Sequence, residues 1–291
     1  MRRGGRAATT VGDVDSSNAL GEFLRARRHA LTPQQAGLPV GGRRRTPGLR
    51  REELALLSGI STDYYIRLEQ GRERSPSPQV LDALARALLL EPDATSHLHA
   101  LVHAGSRSRR HARVTEHASA QLRQLLESWP SNPAFVLGRF RDVLARNRMA
   151  AALYRGFTVT DNLVKAVFLD PAARTFYANW DQVAWSSAAG LRATAGADVD
   201  DPRLADLVGE LSEGSPEFRA LWARHDVHGK TSAPKLFHHS DVGPLTLTYQ
   251  SFTVNGAPGQ ELVVYHAEPD SASAQALALL GSLAAEVPSG A

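Results

Sequence analysis

The stretch Glu53-Leu-Ala-Leu-Leu-Ser-Gly-Ile-Ser-Thr-Asp-Tyr-Tyr-Ile-Arg-Leu-Glu-Gln-Gly71 leaves few folds open. Its apolar residues recur at helical spacing, but Gly59 interrupts them, so two short helices joined by a tight turn are predicted. Ala55 is small enough for two helices to approach, and Gly59 can take the positive φ such a turn needs. Ser61 and Thr62 are good N-cap residues, Asp63 suits the positive end of a helix dipole, and Gly71 follows the last periodic residue. Leu54, Leu57, Ile60, Tyr64 or Tyr65, and Leu68 form the expected inward stripe. Two helices bury too little apolar surface alone. Helical patterns at 20–28, 79–89 and 94–103 supply the neighbours and complete an all-α, five-helix domain.

With Tyr65 and Leu68 inward, Thr62, Asp63, Ile66, Arg67 and Gln70 face outward. This is the geometry of a helix-turn-helix, whose second helix enters the DNA major groove. Arg67 can fork onto a guanine edge or hold a phosphate, and Gln70 can pair with adenine. The plain alternative is a solvated helix surface. Between the first two helices a long connection, 32–50, carries Arg43, Arg44 and Arg45 and ends at Arg50. Consecutive arginines there suggest contact with phosphate or a narrow minor groove; a basic loop with only non-specific attraction is the alternative.

Charge is divided along the chain. Residues 1–113 hold 19 Lys plus Arg against 11 Asp plus Glu, and residues 114–291 hold 14 against 19, so the first part is basic and the second acidic. The basic part suits a polyphosphate. There is no cysteine, which rules out disulfides, Cys-based zinc sites and thiol chemistry. No apolar run is long enough to span a membrane, and Arg2, Arg3 and Arg6 are not followed by an apolar core, so no secretory signal is expected. A cytoplasmic protein fits these features. No nucleophile elbow, phosphate-binding glycine loop or dinucleotide fingerprint occurs, and His99 and His103 alone do not make a metal site. An enzyme is not expected.

Beyond a basic linker at 106–113, a helix over 117–129 stops at Pro130-Ser-Asn-Pro133. Strands are predicted at 134–137 and 142–145, helices at 147–154, 162–169, 171–178, 180–195, 201–211 and 216–225, and strands again at 236–239, 244–254 and 261–267. Leu245, Leu247 and Tyr249 alternate with Thr246, Thr248 and Gln250, which gives one buried and one polar face. A helix over 273–283 closes the chain. All four tryptophans and most other aromatics lie in this part, as the lining of an apolar pocket would require. Phe140, Phe168, Trp180 and Trp222 are candidate apolar walls. Arg146, Asn147, Arg174, His225 and Tyr249 are candidate polar groups, an arginine being able to anchor a carboxylate. Core aromatics and surface charge pairs are the plain alternative.

The segments Leu20-Gly-Glu-Phe-Leu-Arg-Ala-Arg-Arg28, Pro47-Gly-Leu-Arg-Arg-Glu-Glu-Leu-Ala55, Asp63-Tyr-Tyr-Ile-Arg-Leu-Glu-Gln-Gly71 and Ser75-Pro-Ser-Pro-Gln-Val-Leu-Asp-Ala-Leu-Ala85 resemble the XRE-type, lambda repressor-like domain. Leu169-Asp-Pro-Ala-Ala-Arg174, Ser215-Pro-Glu-Phe-Arg219, Leu221-Trp-Ala-Arg-His-Asp-Val227 and Leu262-Val-Val-Tyr265 extend the resemblance to the MmyB-like regulators of actinobacteria. The resemblance implies a DNA-binding domain followed by an α+β, PAS-like ligand-binding domain whose antiparallel sheet is covered by helices. It also implies an apolar effector, a fatty acid among the candidates, and no other cofactor. In XRE domains an arginine of the first helix pairs structurally with the glutamate near the end of the recognition helix. Glu69 matches that glutamate, and its partner here is Arg28, with Arg25 as the alternative.

The expected organisation is a disordered tail at 1–17, the helix-turn-helix domain at 18–105, the linker, the ligand domain at 114–285 and a short tail at 286–291. The expected function is a transcription regulator that binds double-stranded DNA, as a homodimer, and responds to a small apolar ligand. The alternative is a DNA-binding regulator whose C-terminal domain only dimerises or recruits a protein.

Overall fold

The computed structural model describes residues 18–39, 44, 46–107, 116–196, 201–229 and 234–286. The tail at 1–17, Arg43, Arg45 and nearly all of the linker and C-terminal tail lie outside these residues.

Five helices form the first unit: α1 (Ala19–Ala30), α2 (Arg51–Ser58), α3 (Thr62–Glu69), α4 (Pro78–Ala87) and α5 (Pro92–Arg107). Gly59 ends α2 at φ 68°, and the Ser61 hydroxyl accepts the Tyr64 amide to start α3. Ser77 caps α4 in the same way, with Pro78 in its first turn. Phe23, Leu24, Leu49, Leu54, Tyr65, Leu68, Leu84 and Leu98 are fully enclosed at the centre. The inward stripe differs from expectation at one position. Leu57 is 37% exposed, because α2 turns Leu54, Ala55 and Ser58 inward and leaves position 57 at the edge of that arc. Of the two tyrosines, Tyr65 is the buried one. Gly21 lets α1 approach α3, since a methyl group there would collide with the Glu69 carbonyl.

The second unit begins with α6 (Ala120–Glu127), β1 (Ala134–Leu137) and β2 (Val143–Arg146). Six helices follow: α7 (Arg148–Leu153), α8 (Leu163–Leu169), α9 (Ala173–Phe176), α10 (Trp180–Ala195), α11 (Pro202–Gly214) and α12 (Pro216–Trp222). The chain closes with β3 (Lys235–His239), β4 (Gly243–Thr253), β5 (Glu261–His266) and α13 (Ala272–Glu286). The strands form one antiparallel sheet in the order β2-β1-β5-β4-β3. β5 pairs with β1 from Ala134 against Val264 to Leu137 against Glu261, so the two ends of the domain meet in the sheet centre. This is the antiparallel α+β architecture expected for the second half.

Each sheet face is covered. Phe135, Leu137, Leu245, Leu247, Val263 and Tyr265 join the larger core with α7, α8, α9, α10 and α13. Ala134, Val136 and Leu262 point the other way, onto Leu126 of α6. Alternation along β1 and β5 thus splits adjacent residues between two cores. Helices α11 and α12 extend the layer around Leu204, Leu207, Leu211 and Phe218. Among the described residues no helix is long and apolar enough to cross a membrane.

Candidate DNA-reading face and ligand cavity

On α3, Asp63 and Arg67 are exposed, Thr62 and Ile66 are half-buried, and Gln70 is exposed at the helix C-cap. These five residues share the side of α3 away from the core. The Arg67 guanidinium lies 5.6 Å from the centre of the Tyr64 ring, which restrains it without withdrawing it from solvent. Arg50 is exposed at the N-cap of α2, 3.8 Å from Glu52.

Beneath this face, Glu69 is fully buried and enclosed by arginines. Arg28 donates through Nε and Nη2 to the two carboxylate oxygens at 3.1 Å each and through Nη1 to the Leu49 carbonyl at 2.8 Å. Arg51 Nη2 donates to Glu69 Oε1 at 2.8 Å, and Arg25 Nε stands 3.5 Å away. Burial alone would raise the Glu69 carboxyl, but the Arg51 hydrogen bond and the Arg28 charge hold it below its ordinary value. Both arginines named from sequence therefore reach Glu69. Arg51, which sequence reasoning missed, joins them because the first turn of α2 abuts the end of α3.

Arg44, one of the three arginines expected to form an arm to DNA, is paired within the protein. Its two terminal nitrogens donate to Glu53 at 2.8 and 2.6 Å. Glu53 also accepts the Arg50 amide at 2.7 Å and so caps the start of α2. The Arg44 charge is spent on fastening the long connection to that helix. Arg43 and Arg45 lie outside the described residues.

In the second unit a cavity of about 360 Å³ lies between the sheet and α10. Leu137, Leu163, Val167, Val183 and Val263 make much of it apolar, while Tyr154, Tyr177, Tyr249, Tyr265, Arg141 and Lys235 supply polar atoms. The Tyr154 and Tyr177 hydroxyls are 3.1 Å apart. Burial pushes both phenols up, Tyr177 to about 12, so they remain neutral donors. Arg141 donates to Glu261 at 2.9 Å. Lys235 has no such compensation: its Nζ lies 5.5 Å from the Tyr249 ring centre and 5.9 Å from that of Tyr265, and it makes no ion pair among the described residues. Burial would lower the Lys235 ammonium, yet the phenol oxygens of Tyr265, Tyr177 and Tyr249 hold it above its ordinary value. The cavity is thus mostly apolar and carries one charged donor without a counter-charge.

Of the ligand residues named from sequence, only Tyr249 lines this cavity. Phe140 belongs to the core under α11, and Phe168 packs on Trp180 and Phe218. Trp180 donates its indole to the Val167 carbonyl at 3.0 Å and lies beneath Arg174, which pairs with Glu217 at the surface. Trp222 stacks on Phe218 and Arg192. Arg146 is exposed at the end of β2. Asn147 is buried and fully committed to backbone: it accepts from Ala134 and Ala150 and donates to Trp129 and Asn132. His225 sits in the turn after α12. Lys235 was missed, although strand alternation puts it on the same face as buried Phe237 and His239.

Among the described residues no cluster of His, Cys, Asp or Glu could hold a metal ion. Residues 118–280 match the family described as the MmyB-like transcription regulator ligand binding domain, and residues 19–98 match a helix-turn-helix domain. No curated protein matches the chain. The first match spans more than half of the sequence, and the chain belongs to the family of MmyB-like transcription regulators.

Proposed function

We propose that this regulator binds double-stranded DNA through the outer face of α3 and changes that binding when a small apolar anion occupies the cavity. Thr62, Asp63, Ile66, Arg67 and Gln70 read or approach base edges, and Arg50 holds the backbone beside them. A homodimer would set two such helices about 34 Å apart, one helical turn, on a roughly palindromic site. The DNA-binding unit spans 18–105 and the ligand unit 114–285. A cytoplasmic location follows from the DNA partner, and the function is binding, without catalysis.

The observation that carries the ligand reading is the Lys235 ammonium, which has no carboxylate partner among the described residues, in a mostly apolar cavity. A carboxylate on an aliphatic chain, as in a fatty acid, would satisfy both, with Tyr249 beside the head group. The competing reading, a C-terminal domain that only dimerises or recruits a protein, calls for a closed core, and the cavity speaks against that.

The test is to denature the purified full chain and identify what it releases by mass spectrometry. The experiment continues with a titration of that molecule against operator-bound protein. A stoichiometric apolar acid that shifts DNA affinity is expected. Release of nothing, together with no binding of added fatty acids, would overturn the ligand reading and favour the competing one.

A further inference from the structure

The segment 223–229 touches both units, and part of it is also cavity wall. Asp226 accepts from Arg27 Nη1 on α1 at 2.8 Å and from Trp185 Nε1 on α10 at 3.0 Å, with Arg224 Nη2 2.9 Å away. Val227 packs against the core of the helix-turn-helix unit. The Gly229 amide donates to Asp93, in the first turn of α5, at 2.7 Å. A side chain at 229 would press on that carboxylate and push the Asp93 side chain aside. Trp185, His228 and Gly229 line the cavity, and the Trp185 and His228 rings lie 5.0 Å apart.

Other groups pack around this junction. His97 of α5 packs edge-on against Phe23 at 5.3 Å and is 5% exposed. Arg192 of α10 donates to the Trp222 carbonyl at 2.7 Å and lies 3.8 Å from the Trp222 ring centre. Burial, reinforced by the Arg192 charge, pushes the imidazoles of His97 and His225 down to about 4 and about 3, so both stay neutral.

We propose that Arg27, Asp226 and Trp185 form a latch that makes ligand binding and docking of the DNA-binding unit mutually stabilising. The inference rests on the ligand reading above. The cavity is present while the latch is closed, so the docked arrangement is competent to hold ligand. Asp226 fixes the Trp185 indole on one side and α1 on the other, and without Arg27 that wall loses its anchor. The coupling must be reciprocal: whatever the latch adds to ligand affinity, the ligand adds to docking. Helix α1 also carries Arg28 onto Glu69, so its position is transmitted to the end of α3. Asp63, Arg67 and Gln70 remain exposed with the latch closed. The latch therefore sets the orientation of the reading helix and does not mask it.

The test uses the full chain, the apolar anion anilinonaphthalene sulfonate as fluorescent probe, and hydrogen exchange at residues 223–229. The native chain should bind the probe and gain protection there. Arg27→Ala should bind about fivefold more weakly, a coupling in the usual range, and gain no protection. Arg27→Lys, which keeps the ion pair within reach, should recover most of the affinity. A native chain that binds no probe would remove the ligand reading and the latch with it. Native and Arg27→Ala chains with equal affinity and equal protection would overturn the latch alone.

Discussion

Glu69 is a fully buried charge at the end of α3, and Lys235 is a half-buried one beside the cavity. Glu69 meets three guanidinium groups within 3.5 Å, and Lys235 meets phenol rings and open space. A buried charge with its partners in place holds one geometry, because any movement exposes an unpaired ion. One without a counter-ion can gain a partner from a ligand, and its surroundings gain further stability when that ligand binds. The first unit holds the outer face of α3 in one geometry. The second has a cavity beside an ammonium that pairs with no carboxylate among the described residues.

Removing the Glu69 carboxylate breaks this contrast most severely. Glu69→Ala leaves Arg28 buried against Leu49 without a counter-charge and should cost about 3–5 kcal/mol of stability in urea unfolding of the first unit. The native pair also predicts an acid limb. Because the folded carboxyl lies below its ordinary value, its contribution is full above that ordinary value and is lost as pH falls through the folded one. An Ala variant as stable as the native chain would mean that the arginines reach solvent.

Arg67→Ala should leave unfolding unchanged and weaken binding to the specific site by roughly 1–3 kcal/mol if the side chain reads a base. An equal loss on unrelated duplex would reassign it to phosphate, and no loss on either would take it off the reading face. At the cavity, Lys235→Met should slightly destabilise the second unit in urea unfolding, because the phenol oxygens around Lys235 favour its charged form in the fold. It should also abolish any preference for acids over neutral apolar molecules. A more stable Met variant would show that the phenols do not offset the desolvation of the ammonium. The smallest effect is expected for Arg44→Ala: a slight fall in Tm through the weakened start of α2, with the salt dependence of DNA binding unchanged. A flattened salt slope would return Arg44 to the DNA interface.

How much was legible follows from the range of the forces involved. The two helices of the motif, their turn at Gly59 and the cap at Ser61 depend on neighbours within four residues, so spacing alone predicts them. The same holds for β1 at 134–137 and α10 at 180–195, whose bounds the sequence matches. The ligand residues fared differently. Aromatic type marks burial, and the enclosed Phe140, Phe168 and Trp222 are buried or half-buried, but in cores away from the cavity. Asn147 is polar for a local reason, saturating four backbone groups around α7 and β1. The signal for Lys235, a cation on the inward side of a strand, was present in the alternation and went unused.

The sequence by itself determined the two-part plan, the basic first unit and the two helices with their turn, because periodicity, capping and charge act over short spans. Where the vacancy lies was decided only when β1 and β5, 127 residues apart at Ala134 and Glu261, closed the sheet beneath α10. The same folding brought Asp226 between Arg27 and Trp185. Contacts of that separation arise from packing of whole layers, and no local pattern encodes which residues will border the space those layers leave.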